Sequence, residues 1–360
     1  MMELLNNSNA KSWEDFTDSL DFTPPQHLMT WMNSIKDSYG NCEVLCYMDI
    51  KDEKIRAAFP FFLVKSKIFG DRVISQPFID FGGPIGEFNE KFIHEAIGNI
   101  KAKFGGEIKH IEIRLNKFVP HYEDIERVIT AIGFKKEMKR QQFILKLETE
   151  EKLWNNFIRI TRKGIKKAQK SGLILNEIKD ENELKKFYEL YLKSMRDFGT
   201  PQHSYDFFAN FFNMMKKNIR GLNCYKDGKL IGSLIVLCSK NYMYAAYNFS
   251  EHSSLIYQPN DLLYWEMIRW AIKNEIKYFD FGQCETDAKE GSHAAGIYKF
   301  KSKWMGTLYE RPYFFLSFNE EKEGNSQEKE KFKEMIKIWQ NLPIILIKKI
   351  GPQIASGLAL

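Results

Sequence analysis

The stretch LNCYKDGKLIGSLIVLCSKNYMYAAYN, residues 222–248, decides the fold. Leu222 to Tyr225 and Lys229 to Leu237 flank Asp227-Gly228, a pair suited to a tight hairpin turn, and Tyr242 to Asn248 reads as a third strand. Leu262 to Lys273 then reads as a helix and Tyr278 to Phe281 as a strand. The same order occurs about 170 residues earlier: strands at Glu43 to Met48 and Ile55 to Val64, a helix at Glu90 to Lys103 and a strand at His110 to Ile113. Pro60 cannot donate to a sheet ladder, so its strand is expected at an edge or at a bulge. A helical crossover makes the strands it joins parallel, whereas hairpins stay antiparallel. The expectation is an α/β (α+β) chain of two similar modules, each a mixed, mostly antiparallel sheet with flanking helices. The boundaries fall at 1–147, 148–320 and a loop and helical tail at 321–360.

At 360 residues, 44% apolar and 28% charged, the chain can bury two cores, which excludes a disordered or fibrous protein. Five cysteines without a CxxC pair, Cys42, Cys46, Cys224, Cys238 and Cys284, fit neither a disulfide framework nor a zinc ribbon and point to a reducing compartment. Glu3, Asn6 and Asn7 interrupt the start, and no run of about twenty apolar residues follows, so neither export nor a membrane span is expected. A cytoplasmic location follows, with contact at the inner face of the membrane as an alternative. No HExxH and no i, i+4 histidine pair occurs, so no metal site is expected.

Between the modules, Glu148 to Gly172 reads as one helix, and Asn182 to Arg196 and Asp206 to Lys217 as two more, the former with Phe187, Leu190, Tyr191 and Ser194 on its buried face. Asn319 to Glu330 should be a solvated loop. The tail WQNLPIILIKKI, Trp339 to Ile350, is expected to pack in a core, with peripheral membrane contact as the alternative.

Three stretches could carry chemistry. In RITRKGIKKAQK, Arg159 to Lys170, helical spacing sets Arg159, Arg162, Lys163, Lys166 and Lys170 near one face with no acid among them. Like charges one turn apart cost helix stability, so the stripe is either solvated or meets phosphate. In the run from Tyr257 to Trp265, Asn260 is placed as a helix N-cap, and the N–H groups of that helix start could hold an acyl carbonyl. In Tyr298 to Trp304, aromatic residues alternate with lysines, which a strand would divide into a buried and an exposed face. Lys301, beside Phe300, could instead stabilise the oxyanion that forms when an amine attacks an ester. A Cys284 nucleophile with Asp280 and His293 nearby in sequence is a weaker option.

SWEDF from Ser12, TPPQHLMTW ending at Trp31, QPFIDFGGP from Gln76, TRKGIKKAQKSGL from Thr161, MRDFGTPQHS from Met195, QPNDLLYWEMIRWA from Gln258, YFDFG from Tyr278 and GIYKFKSKW from Gly296 occur in this order. Together they resemble the FemAB-like (peptidoglycan-bridge-type aminoacyltransferase) branch of the GCN5-related (GNAT) acyltransferases. The tail resembles a subgroup found beside polysaccharide-export systems. The resemblance implies two tandem acyltransferase-like domains and an enzyme of cell-envelope biogenesis. Such an enzyme moves an amino acid from aminoacyl-tRNA to an amine of a nucleotide- or lipid-linked precursor, with no permanently bound cofactor. It implies Phe300 and Lys301 at the reaction centre, with Asn260, Tyr264, Asp280 and Gly282 on the substrate. It further implies that Arg159, Arg162, Lys163 and Lys166 lie near tRNA or a nucleotide-linked acceptor. Coenzyme-A-using relatives place Gly-x-Gly or Gly-x-Ala two residues after an Arg or Gln; here Pro259-Asn260-Asp261 follows Gln258, which disfavours acyl-CoA as donor. An acyl-CoA-dependent N-acyltransferase for an amino sugar or amino acid, and a non-catalytic glycan- or precursor-binding module, are the alternatives.

Overall fold

The computed structural model describes residues 2–79, 81–318 and 326–359. In chain order the first half comprises β1 (Met2–Leu4), α1 (Ala10–Ser19), α2 (Met29–Ser38), β2 (Cys42–Lys51), β3 (Lys54–Val64), β4 (Arg72–Ile74), β5 (Ile85–Gly86), α3 (Glu90–Phe104), β6 (His110–Arg114), α4 (Tyr122–Ile132) and β7 (Lys135–Lys146). There follow α5 (Glu150–Asn156), α6 (Arg159–Lys170), β8 (Ile174–Glu177), α7 (Glu181–Phe198), α8 (Tyr205–Met215), β9 (Ile219–Lys226), β10 (Lys229–Cys238), β11 (Tyr242–Ser250), α9 (Pro259–Lys273) and β12 (Tyr278–Glu285). The chain then runs through α10 (His293–Ser302), β13 (Thr307–Ser317), α11 (Ser326–Asn341) and α12 (Ile344–Leu358).

The strands form one sheet in the order β1-β2-β3-β4-β6-β13-β7-β12-β11-β10-β9-β8, with β5 beside β3. The expected crossover of the second half is present, with β11 and β12 parallel around α9; in the first half the strand parallel to β6 across α3 is β4, not the expected Ile55–Val64, since β3 runs antiparallel to β4. The other described pairings are antiparallel. β13 inserts between β6 and β7, so the end of the second half completes the seam with the first.

Alternation along the strands sends residues to opposite faces. On β2 and β3, Cys46, Met48, Phe62 and Val64 join one core, and Leu45, Tyr47, Phe59 and Phe61 another. The first core is continuous across both halves, running from Trp31 and Phe62 to Phe187, Phe208 and Ile235. The opposite face is divided between a core under α3 and α4 and one under α5, α6 and α9.

Several expectations change. Pro60 lies inside the sheet, not at its edge: Cys46, its partner on β2, turns its carbonyl to Leu5, so Pro60's missing N–H faces the gap between β4 and β5. The single helix from Glu148 is two, because Phe157 and Ile158 are extended. Residues 298–302 belong to a helix, α10, started by the Ser292 side chain accepting from Ala295 N–H; aromatic-lysine alternation carried no strand. Of the loop expected at Asn319 to Glu330, residues 319–325 lie outside the described residues, and α11 begins at Ser326. The tail packs through Trp339, Ile347 and Ala355, but Ile345 and Leu346 are exposed. Among the described residues no helix is long and apolar enough to cross a membrane.

Candidate active site

The crossover helix of the second half begins two residues earlier than a capping Asn260 would place it. Gln258, at φ 60°, turns the chain, and Pro259 takes the first helical position, where its missing N–H costs nothing. Asn260 is therefore not the N-cap. Its Oδ1 accepts from Asn248 Nδ2 at 3.0 Å and Ser250 Oγ at 2.6 Å, tying α9 to β11.

Asp261 follows in the first turn, 2% exposed, and accepts from Lys303 Nζ at 2.7 Å. Burial pushes its carboxyl upward, against the pull of the Lys303 charge. α6 crosses so close that a Cβ on Gly164 would lie 2.3 Å from Asp261 Oδ1, and Thr161 Oγ1 donates to Lys303 O at 2.6 Å. The positive end of α9, where backbone N–H groups would hold an anion, thus already has a carboxylate of the chain beside it. Gly164 and Lys303 were missed by sequence reasoning. The available signal was a glycine within an otherwise strongly helical segment, a residue that weakens a helix unless close packing requires it.

Asp280 is fully buried on β12. Its Oδ2 accepts from the Tyr242 hydroxyl at 2.5 Å and its Oδ1 from Gly282 N–H at 2.8 Å. The pairing with β7 shifts register between Asp280 and Gln283, and Gly282 at φ 75° supplies the left-handed residue of this bulge. Tyr264 lies in an aromatic cluster, with ring centroids 5.5 Å from Phe281 and 5.1 Å from Phe300; burial, then the Asp280 charge, pushes its hydroxyl up. Lys303 Nζ lies 4.5 Å over the Phe300 ring. Lys301 is half-buried, and its Nζ donates to Gln283 O at 2.7 Å, fixing the ammonium beside the bulge.

At the seam of the sheet lies a cavity of about 320 Å³. Arg114 of β6, Arg140 of β7, Gln283 of β12 and Tyr313 of β13 form its floor, His203 lies on the α7–α8 side, and Ala355 of α12 closes another wall. None of the site residues expected from sequence lines this cavity; Lys301 meets it through the Gln283 peptide. Arg114 is buried, pairs with Glu112 at 2.6 Å, and donates to Ile79 O and Ala359 O, both at 2.9 Å. Burial alone would raise the Glu112 carboxyl, but the Arg114 charge and the hydrogen bonds of His110 and Arg114 bring it to about 2. Arg140 pairs with Glu285 at 3.2 Å. His203 Nδ1 meets the Tyr39 hydroxyl at 2.6 Å and its ring stacks 4.0 Å from Phe207; burial lowers it to about 3, so it is neutral at pH 7. The wall is cationic through its arginines alone.

The basic helix divides into two roles. Arg162 NH1 donates to the carbonyls of Phe157 at 2.7 Å, Asn155 at 3.1 Å and Trp154 at 3.3 Å, capping α5 instead of facing outward as the stripe implied. Arg159, Lys163, Lys166, Lys167 and Lys170 are exposed, with Lys166 Nζ 5.7 Å from the Trp154 ring. Cys284 is buried, with Sγ 3.5 Å from Gln141 O, whereas His293 stands against the Phe198 ring at 5.0 Å. Among the described residues no group of three or more His, Cys, Asp or Glu could hold a metal ion.

With this geometry in view, residues 155–301, from α5 to Lys301, match the family described as acetyltransferase (GNAT) domain. The matched segment is similar to GNAT acyltransferase domains. No curated protein matches the chain in sequence. Among solved structures it is similar to FemX, with a TM-score of 0.70 and 14% identity over 87% of this chain and 96% of that one. It is also similar to L-PGS from Bacillus licheniformis, with a TM-score of 0.54 and 11% identity over 94% and 99% of the two chains. A tandem GNAT protein from the clavulanic acid biosynthesis pathway gives 0.56 and 10% over 89% and 100%. At such identities the likeness is one of fold, and that fold is the mixed α/β architecture of the tandem GNAT proteins.

Proposed function

We propose that the chain transfers an aminoacyl group from aminoacyl-tRNA to an amine of an anionic cell-envelope precursor, nucleotide- or lipid-linked. The observation that carries the donor assignment is the Asp261–Lys303 pair in the first turn of α9 under Gly164. A pyrophosphate brought there would meet a buried carboxylate, and such a cradle works only with unopposed N–H groups. Arg114 and Arg140, facing the seam cavity, favour an acceptor bearing phosphate or carboxylate.

In the reaction the neutral amine forms a C–N bond to the ester carbonyl of the charged tRNA. The ester C–O bond then breaks, and the amine proton ends on the released ribose hydroxyl. Lys301, held by Gln283 beside the β12 bulge, stabilises the tetrahedral oxyanion between these steps. Phe300 packs next to it against Tyr264 and keeps water from that side. Lys301→Ala is expected to stay folded and lose on the order of 10²- to 10³-fold in kcat, read in a single-turnover transfer assay. A folded variant with unchanged turnover removes Lys301 from the reaction.

An acyl-CoA donor is the second reading, favoured by the match of residues 155–301 to an acetyltransferase family. It requires that acetyl-CoA raise the melting temperature at concentrations far above Kd, whereas the first reading requires no shift. Tight precursor binding without transfer from either donor would make the chain a recognition module.

A further inference from the structure

The C-terminal helices α11 and α12, which both pack on α7, have two unlike faces. On the inner one, Gln202 Nε2 donates to Ile347 O at 2.7 Å, and a Cβ on Gly351 would lie 2.3 Å from the Gln202 amide. Arg114 takes Ala359 O, so α12 bridges the loop after α7 to β6 and leaves Ala355 on the cavity wall. The outer face is apolar: Ile345 is 81% exposed, Ile338 61%, Met335 60% and Leu346 47%. Lys337, Lys348 and Lys349 are exposed around them; α12 contains no Asp or Glu, whereas on α11 the exposed Glu334 stands one turn before Ile338.

Apolar side chains left in water on one helix face are a cost without a partner, and here the chemistry of the partner is set by the charge beside them. On α12, a face with Ile345 and Leu346 in the middle, Lys348 and Lys349 at the margin and no acid fits the headgroup boundary of an anionic bilayer. There the apolar groups reach the acyl region and the lysine stems carry ammonium groups to the phosphates. We propose that the outer face of α11–α12 docks on an anionic lipid bilayer, which holds the seam cavity at the membrane surface. The docking itself needs no transfer chemistry; only its purpose, presentation of a lipid-linked acceptor, rests on the function proposed above.

The test is co-sedimentation of the full chain with phosphatidylcholine vesicles, with and without about 30 mol% phosphatidylglycerol. Binding is expected to the anionic vesicles, to weaken with salt, to vanish in Ile345→Glu/Leu346→Glu, and to fall roughly 25-fold or more in Lys348→Glu/Lys349→Glu, at about fivefold per basic residue. Both double variants should keep the wild-type melting temperature and transfer to a soluble acceptor. Lost transfer with docking intact would count against the proposed function alone. Absence of sedimentation, equal sedimentation with neutral vesicles, or a wild-type dimer that Ile345→Glu/Leu346→Glu dissociates would overturn the membrane assignment.

Discussion

Two buried ion pairs of similar length mark the two halves of the molecule and do opposite things. Glu112 and Arg114 stand two residues apart on β6 at 2.6 Å, and Arg114 still lines the open cavity at the seam. Asp261 and Lys303 meet at 2.7 Å between two helices, and their contact occupies the first turn of α9. One pair builds a cationic wall that a ligand can reach; the other places a carboxylate where a ligand phosphate would sit. A duplicated crossover therefore does not duplicate a binding site, because the charged pairs stand at different places, one on the strand after the crossover and one at the start of the crossover helix.

The comparison breaks first at Glu112. Glu112→Gln leaves the Arg114 charge buried without its counter-charge and should cost about 3–5 kcal/mol in urea unfolding. The pair also sets a pH dependence. With the folded carboxyl at about 2 against 4.5 in its ordinary state, its contribution is present above pH 4.5 and is lost as pH falls toward 2. Glu112→Gln should flatten that limb of the stability profile.

Asp261→Asn should cost less, about 1–3 kcal/mol, since Lys303 retains some exposure and the amide can still accept a hydrogen bond. A loss equal to that at Glu112 would show that the second pair is as isolated from solvent as the first.

On the basic helix, Lys163→Glu/Lys166→Glu should reduce the slope of log affinity for tRNA against log salt by roughly 1.5. Arg162→Ala should leave the slope unchanged and cost about 1 kcal/mol through the lost cap of α5. If Arg162 alone moved the slope, the division of that helix into capping and exposed cations would be wrong.

A further comparison concerns the histidines. His203 near 3 and His27 near 4 take up a proton in the unfolded chain at about 6.5 but not in the folded one, so both contribute stability above pH 6.5 that declines as pH falls. Removing His203 as His203→Asn should lessen the decline between pH 6.5 and 3, measured by thermal melts across that range.

Periodicity made most of this fold legible. The hairpin at Asp227-Gly228, the crossover around α9 and the buried face of α7 all follow from apolar spacing and turn residues, whereas the short β4 that completes the crossover around α3 left no such signal. Failures came where spacing is ambiguous: residues 298–304 alternate like a strand, but the Ser292 cap starts a helix. Local sequence also could not reveal that Phe157 and Ile158 divide the helix expected over Glu148–Gly172 or that Arg162 turns back to cap the first piece. The resemblance to a family brought Lys301 and Phe300 forward; Lys301 Nζ donates to Gln283 O at the β12 bulge, and Phe300 packs on Tyr264. The cavity was invisible because Arg114, Arg140, His203 and Gln283 come from four distant segments that only the sheet order brings together.

The most direct measurement supplies the enzyme with one amine acceptor and two labelled donors in parallel, charged tRNA and acetyl-CoA, and follows label entering an amide. Product from charged tRNA, with acetyl-CoA inert, is the predicted result. Turnover of acetyl-CoA with charged tRNA inert would mean that the Asp261–Lys303 contact does not keep a pyrophosphate from α9, and the account built on it would be contradicted.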